Sequence, residues 1–245
     1  MGREFEQHDE VEVDATPEEV WAAIATGPGC DSWFMGRTEI VPGKGGTVRT
    51  DVGGYAMEST ITEWEPFRRF AYRGDESPDG RFIAFEYLIE GREQGSTVLR
   101  LVTSGFLPGD DWEDEYDAMV KGGAMYFATL VAYLTHFTGR TATPITVEGP
   151  MGPDVFERVP AALGLSAEPA VGDRTRVAPE GLPPIDGVVD FVNPDVLGIR
   201  TPDALYRFIR GFNCPTVVNH HLFAEGVDRE KTEQAWRAWL ARLSA

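Results

Sequence analysis

Apolar residues along the first part of the chain recur at every second position. Residues Glu4 to Val13 alternate loosely and read as a strand. Tyr55, Met57, Ser59 and Ile61 fall on one face of the next clear run, with Glu58 and Thr60 on the other. Ile83, Phe85, Tyr87 and Ile89 repeat the pattern against Glu86 and Glu90, and TVLRLVTSGF follows. Turn signals stand between the runs: Gly45-Gly46, Pro66, Ser77-Pro78-Asp79-Gly80 and Gln94-Gly95-Ser96. Short strands joined by tight turns predict an antiparallel meander with one wet face. A helix interrupts the pattern early, in ATPEEVWAAIATG. Thr16 is its N-cap, Pro17 its first residue and Glu19 the partner in a capping box, while Val20, Trp21 and Ile24 form its apolar face. Gly27-Pro28-Gly29 is expected to stop it. A second short helix is predicted in CDSWFMG, carrying Trp33 and Phe34 either into the core or into the mouth of a cavity.

The spacing then changes. Trp112, Tyr116, Met119, Tyr126, Leu130, Leu134 and Phe137 recur in steps of three, four or their sum and predict one long helix. It should open near Gly109-Asp110-Asp111, where carboxylates suit the positive end of the dipole, and close near Gly139. Its weak point is Gly122-Gly123, since each glycine costs roughly 1 kcal/mol relative to alanine. Two readings follow: a helix that roofs a cavity, or a core helix that tolerates a weak spot. Gly123 lies on the stripe of Met119 and Tyr126, so on the first reading it faces the cavity and sets its size.

From Thr143 the order of elements begins again in shortened form. TPITVEG reads as a strand, and GPDVFERVPAALGL as a helix that Pro160 must kink or shorten. VVDFVNPDVLGIR matches TITEWEPFRRFAY, with Pro194 on Pro66, Val192 on Trp64 and Val189 on Ile61. TVVNHHLFAEGVD parallels TVLRLVTSGFLPG. Asp228 then caps a helix with Ala235, Trp236, Trp239, Leu240 and Leu243 on one stripe. The boundary falls in Thr138–Pro144, giving domains at 1–140 and 145–245.

Composition narrows the function. At 42% hydrophobic and 11% aromatic residues the chain can bury a core, and no apolar run approaches the ~18 residues of a membrane span. MGREFEQHDE is too polar for a secretory signal, and Glu6 stands where a myristoylation pattern needs Ser or Thr. Cys30 and Cys214 make no metal spacing and read as reduced thiols of a cytoplasmic protein. A net charge of −18 repels phosphate backbones and argues against a nucleic-acid partner.

The first half resembles the SRPBCC superfamily, also called START-like or Bet v 1-like. Within it, the likeness is to bacterial homologues of the activator of heat-shock protein 90 ATPase. The resemblance is carried by ATPEEVWAAI after the first strand, ITEWEPFRRFAY, GSTVLRLVTSGF and the long helix reached through Trp112. It implies an α+β fold in which a curved antiparallel sheet wraps around a long C-terminal helix, the helix-grip, with a cavity between them. The second half looks like a degenerate tandem copy. Relatives often carry Gly-Trp inside the last helix, where this chain has Gly122-Gly123; the missing indole would enlarge the cavity.

No nucleophile triad is legible. His8, His136, His220 and His221 are scattered, and the adjacent His220 and His221 point to opposite faces of a strand, so no metal is expected. GKGGT lacks the spacing of a phosphate loop, DDWEDE lacks the alternate oxygens of a calcium loop, and no cofactor is implied. An apolar cavity with sparse polar groups remains. By strand parity its walls would be Tyr55, Met57, Ile61, Tyr72, Phe85, Tyr87, Leu99 and Leu101, with Met119, Gly123 and Tyr126 from the helix. Ser59, Glu63 and Thr103 would be its polar groups. Core packing is the competing role for the apolar set, and an ion pair with Arg68, Arg69 or Arg73 for Glu63. Three functions stay open. One is non-catalytic binding of a small hydrophobic or amphipathic molecule. Another is polyketide-cyclase-like catalysis with Glu63 or a tyrosine as acid or base. The last is a co-chaperone-like module with a protein partner, or a homodimer.

Overall fold

Seven strands make the first sheet: β1 (Arg3–Val13), β2 (Arg37–Val41), β3 (Thr47–Val52), β4 (Tyr55–Glu65), β5 (Arg69–Gly74), β6 (Phe82–Gly91) and β7 (Thr97–Leu107). The computed structural model describes residues 2–52, 55–92, 95–109, 112–152, 154–165, 168–211 and 215–244. The sheet order is β1-β7-β6-β5-β4-β3-β2, antiparallel throughout. It is a meander from β2 to β7 whose last strand returns beside the first. Helices α1 (Pro17–Ile24) and α2 (Gly27–Cys30) fill the connection from β1 to β2, and α3 (Trp112–His136) follows β7. The chain divides into two compact units, Met1–Thr141 and Ala142–Ala245.

Local chemistry explains the ends of these elements. The backbone N–H of Glu19 donates to Thr16 Oγ1 at 3.2 Å, and the N–H of Thr16 donates to Glu19 Oε2 at 2.8 Å. Such a cap is worth about 1 kcal/mol. α1 drives Trp21 against Trp64 and Phe70, with ring centroids 4.9 and 6.0 Å away. The glycine-proline stretch does not merely stop α1, as the sequence suggests. Gly27–Cys30 is itself a helical turn, capped by Thr26 Oγ1, which accepts from Gly29 N at 3.1 Å. Pro28 fits at the start of a helix, and a Cβ on Gly29 would lie 2.0 Å from the carbonyl oxygen of Ala22. Only glycine lets α2 fold back so closely. Trp33 and Phe34, predicted on a helix, sit on the turns that follow it. At the far end, α3 closes before Gly139, which takes the left-handed conformation at φ 78°. The predicted opening at Asp110-Asp111 lies outside the described residues.

The second unit repeats the plan with one strand fewer. β8 (Thr143–Met151) is followed by a 3-10 turn at Phe156–Arg158 and by α4 (Val159–Leu163). Then come β9 (Arg174–Val177), β10 (Ile185–Asn193), β11 (Val196–Arg200), β12 (Ala204–Arg210) and β13 (Pro215–Leu222). α5 (Arg229–Ala241) closes the unit, its Lys231 N–H donating to the capping Asp228 at 3.1 Å. The order is β8-β13-β12-β11-β10-β9, so the first strand again lies beside the last. The repeat extends to an irregularity: β4 shifts register between Ile61 and Glu63, and β10 between Val189 and Phe191. Those are the positions that the proline-anchored sequence match superposes. The α+β class and the tandem arrangement are as the pattern predicts.

The two units differ inside. α5 presses Trp236, Trp239 and Leu240 into a cluster with Phe208, Val218 and Ile145, all nearly or fully buried. The His220 ring is part of it, 4.4 Å from Trp236 and 5.2 Å from Phe208. Burial holds this imidazole far below its usual pKa. Its Nδ1 accepts from the Arg207 backbone N–H at 3.1 Å. Arg207 donates through both terminal guanidinium nitrogens to Asp190, at 2.9 and 2.8 Å.

Candidate functional site

Directly paired residues in an antiparallel sheet share a face, so the register defines what looks toward α3. One row across the first sheet reads Ile61, Tyr72, Phe85, Thr103, Gln7. The next reads Trp64, Phe70, Tyr87, Leu101, Asp9. Phe5, two residues from Gln7 on the same face, packs on Tyr116 of α3 at 5.6 Å, which fixes this face as the helix side. Neighbouring rings make a continuous aromatic floor. Tyr72 is 5.2 Å from Phe85, 5.3 Å from Phe70 and 6.4 Å from Tyr87.

The roof is uneven. α3 buries Met125 at its middle and Leu130, Tyr133 and Leu134 toward its C-terminus, with Phe137 just beyond it. On either side of Met125, Met119, Gly122, Gly123 and Tyr126 are only half-buried, as are Ile83, Phe85 and Thr103 on the helix side of the sheet. A Cβ added at Gly122 or Gly123 would meet no atom within 4 Å. Close-packed interiors do not leave facing apolar surfaces half-exposed. A side chain at Gly122 or Gly123 would thus begin in unfilled space, among residues that are partly exposed. Phe34 packs on this part of the helix, its ring 4.9 Å from Tyr126.

The predicted residues sort into three groups. Tyr72, Phe85, Tyr87, Leu101 and Thr103 lie on the floor with Ile61 and Leu99, and Met119, Gly123 and Tyr126 lie on α3. Ser59 extends the same face toward the strand end. Trp33 is buried, its indole N–H donating to Ala23 O at 2.9 Å, and belongs to the packing under α1. Tyr55 and Met57 have the right parity but are 70% and 36% exposed at the tip of the β3–β4 hairpin. At about 3.3 Å per residue Tyr55 stands roughly 20 Å from Ile61, at a rim rather than in a wall.

Glu63 requires a correction. Parity counted from Ile61 puts it on the inner face, but the bulge at Thr62 reverses the count. Glu63 pairs with Ala71, whose row continues to Glu86 on the outer face. Its partner is none of the three nearby arginines but Lys44, at 3.0 Å. The inner face has a different carboxylate, Asp9, which accepts from Gln7 Nε2 at 3.1 Å. Sequence reading passed it over, although Asp9 shares its parity with Phe5 and Val11, against Glu6, His8 and Glu10 on the other face.

The titratable groups deep in the floor are neutral. Burial pushes the Tyr72 and Tyr87 phenols well above their usual range, with their rings 6.4 Å apart. Burial likewise raises the Cys30 thiol, which donates to Ile24 O at 3.3 Å and adjoins both phenols electrostatically. Such groups offer neutral hydrogen bonds and no nucleophile or base near neutral pH. Among the described residues, no three His, Cys, Asp or Glu side chains gather as a metal set, and no helix is long and apolar enough to cross a membrane.

A profile of the family described as polyketide cyclase / dehydrase and lipid transport matches residues 5–132, just over half of the 245. The chain belongs to this family. The polyketide cyclase / dehydrase and lipid transport match runs from β1 into α3 and takes in the floor and the half-buried part of the roof. Among solved structures, the chain is similar to the di-domain ARO/CYC BexL from the BE-7585A biosynthetic pathway. Identity is 18% over 98% of this chain and 95% of that one, with a TM-score of 0.47. It is similar to DynU16, from the dynemicin biosynthetic locus, at 19% identity over 98% and 96%, TM-score 0.44. The Aha1 dimer from Colwellia psychrerythraea matches at 19% identity over 53% of this chain and 96% of that one, TM-score 0.42. No curated protein matches the chain significantly.

Proposed function

We propose that the chain binds a small hydrophobic or amphipathic molecule between the first sheet and the N-terminal half of α3, without transforming it. The observation that carries this reading is the unfilled space at Gly122-Gly123, where no atom lies within 4 Å of an added Cβ, on a helix that covers a floor whose Tyr72 and Phe85 are only half-buried. Apolar walls with few polar groups are the usual form of a small-molecule site. Membership of a family that includes lipid transport supports it. The neutral state of Tyr72, Tyr87 and Cys30, and the outward turn of Glu63, favour binding over acid–base chemistry. The second unit, a shortened START-like domain whose interior is filled by Trp236 and Trp239, has a supporting role in this reading.

Two observations favour other readings. Asp9 supplies a carboxylate on the inner face, as a cyclase-like enzyme would need. Exposed Tyr55 and Met57, neighbours on one face of β4, would suit a protein partner, as the sequence resemblance to the activator homologues implies. Native mass spectrometry of freshly purified protein discriminates. The expected result is a mass excess that disappears on denaturation and returns, unchanged in mass, when the released compound is added back. Ligand-free protein that also takes up no neutral apolar dye would refute the proposal. A compound returned chemically altered would establish the enzyme instead.

A further inference from the structure

We infer that the ligand carries a protonated amine, received by the Asp9 carboxylate at the polar pole of the floor. The inference rests on the proposed site and adds what the site selects. Asp9 pairs with Leu101 in a row that includes Tyr87 and Phe70, so its side chain looks inward while His8 and Glu10 look out. Among the described strand residues of the first sheet it is the only carboxylate on that face. It is half-buried, and among the described residues it forms no ion pair.

A half-buried carboxylate needs donors in place of the water it loses. Gln7 Nε2 satisfies Oδ2 at 3.1 Å, which leaves Oδ1 as an acceptor. The fixed amide also holds Gln7 Oε1 as a second acceptor, and Thr103 stands directly across from Gln7. The pole is thus rich in acceptors beside an aromatic floor. The other charged group on this face, Arg3, is six residues along β1, roughly 20 Å away at the strand rise. It is engaged over the Trp112 ring at 4.9 Å. The field of the whole chain, at −18, has the same sign as Asp9. A ligand that expels water from this pole must bring donors and positive charge; a carboxylate head would set two anions together in a poorly hydrated space. The floor matches the other end of such a ligand, since rings prefer offset or edgewise aromatic neighbours.

Three probes of one shape test this: 2-naphthylmethylamine, 2-naphthylmethanol and 2-naphthoate, titrated at neutral pH against displacement of Nile red. The expected order is amine, then alcohol, then carboxylate, with the amine at least about tenfold tighter than the alcohol, as charge pairing at a partly dry site allows. In Asp9→Asn, an isosteric change, the melting curve should stay as in the parent, and the probes are compared by displacement at the Nile red affinity that the variant itself shows. The amine and alcohol should then differ by no more than about twofold, which removes the charge contribution. Equal affinities in the parent, or an amine preference that survives in Asp9→Asn, would overturn the inference while Nile red uptake keeps the binding site standing. Absence of uptake of Nile red and of all three probes would overturn both. If Asp9→Asn melts early, Asp9→Ser supplies the same comparison.

Discussion

Glu63 lies 3.0 Å from the Nζ of Lys44, on the face of the sheet that looks away from α3. The bulge between Ile61 and Glu63 puts it there. One extra residue reverses every later side chain of the strand, so Trp64 turns inward to meet Trp21 and Phe70. Glu63→Gln should therefore leave Nile red binding unchanged and lower stability by no more than about 1 kcal/mol, the range of solvent-accessible ion pairs. Equilibrium dye titration and urea unfolding read both. Loss of dye uptake would mean that the carboxylate serves the interior after all.

The same residue shows how far the sequence could be read. Alternation placed the strands, the capping box placed α1, and the three-four spacing placed α3, because burial on one face leaves a periodic trace. Tyr72, Phe85, Tyr87 and Leu101 fell on the correct face for that reason. A bulge leaves no such trace in a single strand; it emerges only when two strands are paired. It was half-visible here, since Ile61 and Val189 match in the sequence repeat and both precede a register shift. Asp9 was missed for the opposite reason: a polar residue on the inner face breaks the apolar pattern that identifies that face. The exposure of Tyr55 and Met57 depends on where α3 crosses the sheet, which local pattern does not encode.

Tyr72 and Tyr87 predict an alkaline limit to stability. Their phenols are raised in the folded state, whereas unfolded tyrosine ionises near pH 10. Above that pH the unfolded chain gives up protons that the native chain retains. Stability is thus fully present below about pH 10 and falls as pH rises beyond it, by about 1.4 kcal/mol per pH unit for each phenol held protonated. Phenolate absorbance during a pH titration should show these groups ionising together with unfolding. Tyr72→Phe with Tyr87→Phe should flatten the decline. Free ionisation in a folded protein would contradict the burial.

Asp190, at the bulge of β10, should matter for folding rather than for binding. Its carboxylate takes two hydrogen bonds from a guanidinium that is 1% exposed. Asp190→Ala removes one partner of a buried pair and should cost about 3 kcal/mol in urea unfolding. Nile red affinity per folded molecule should not change. A cost within about 0.5 kcal/mol, the scale of ordinary surface substitutions, would show that the pair contributes nothing to the fold.

Cys30 should resist alkylation in the native state. The thiol is buried and its pKa raised, so little thiolate forms and little reagent reaches it. Peptide mapping after iodoacetamide treatment should find Cys30 labelled only under conditions that unfold the first unit. Rapid labelling at neutral pH without unfolding would show that the pocket floor is open to reagent at α2.

The central claim is that space beneath Gly123 receives a ligand. Gly123→Trp tests it, with Nile red titration and a melting curve on the parent and the variant. An added Cβ meets no atom within 4 Å, so the indole should enter the open space, abolish dye uptake and leave the melting temperature close to the parent's. A well-folded Gly123→Trp protein that binds Nile red as the parent does would contradict the account. So would a variant destabilised by the roughly 1–3 kcal/mol of an overpacked core, because the space would then be packed already.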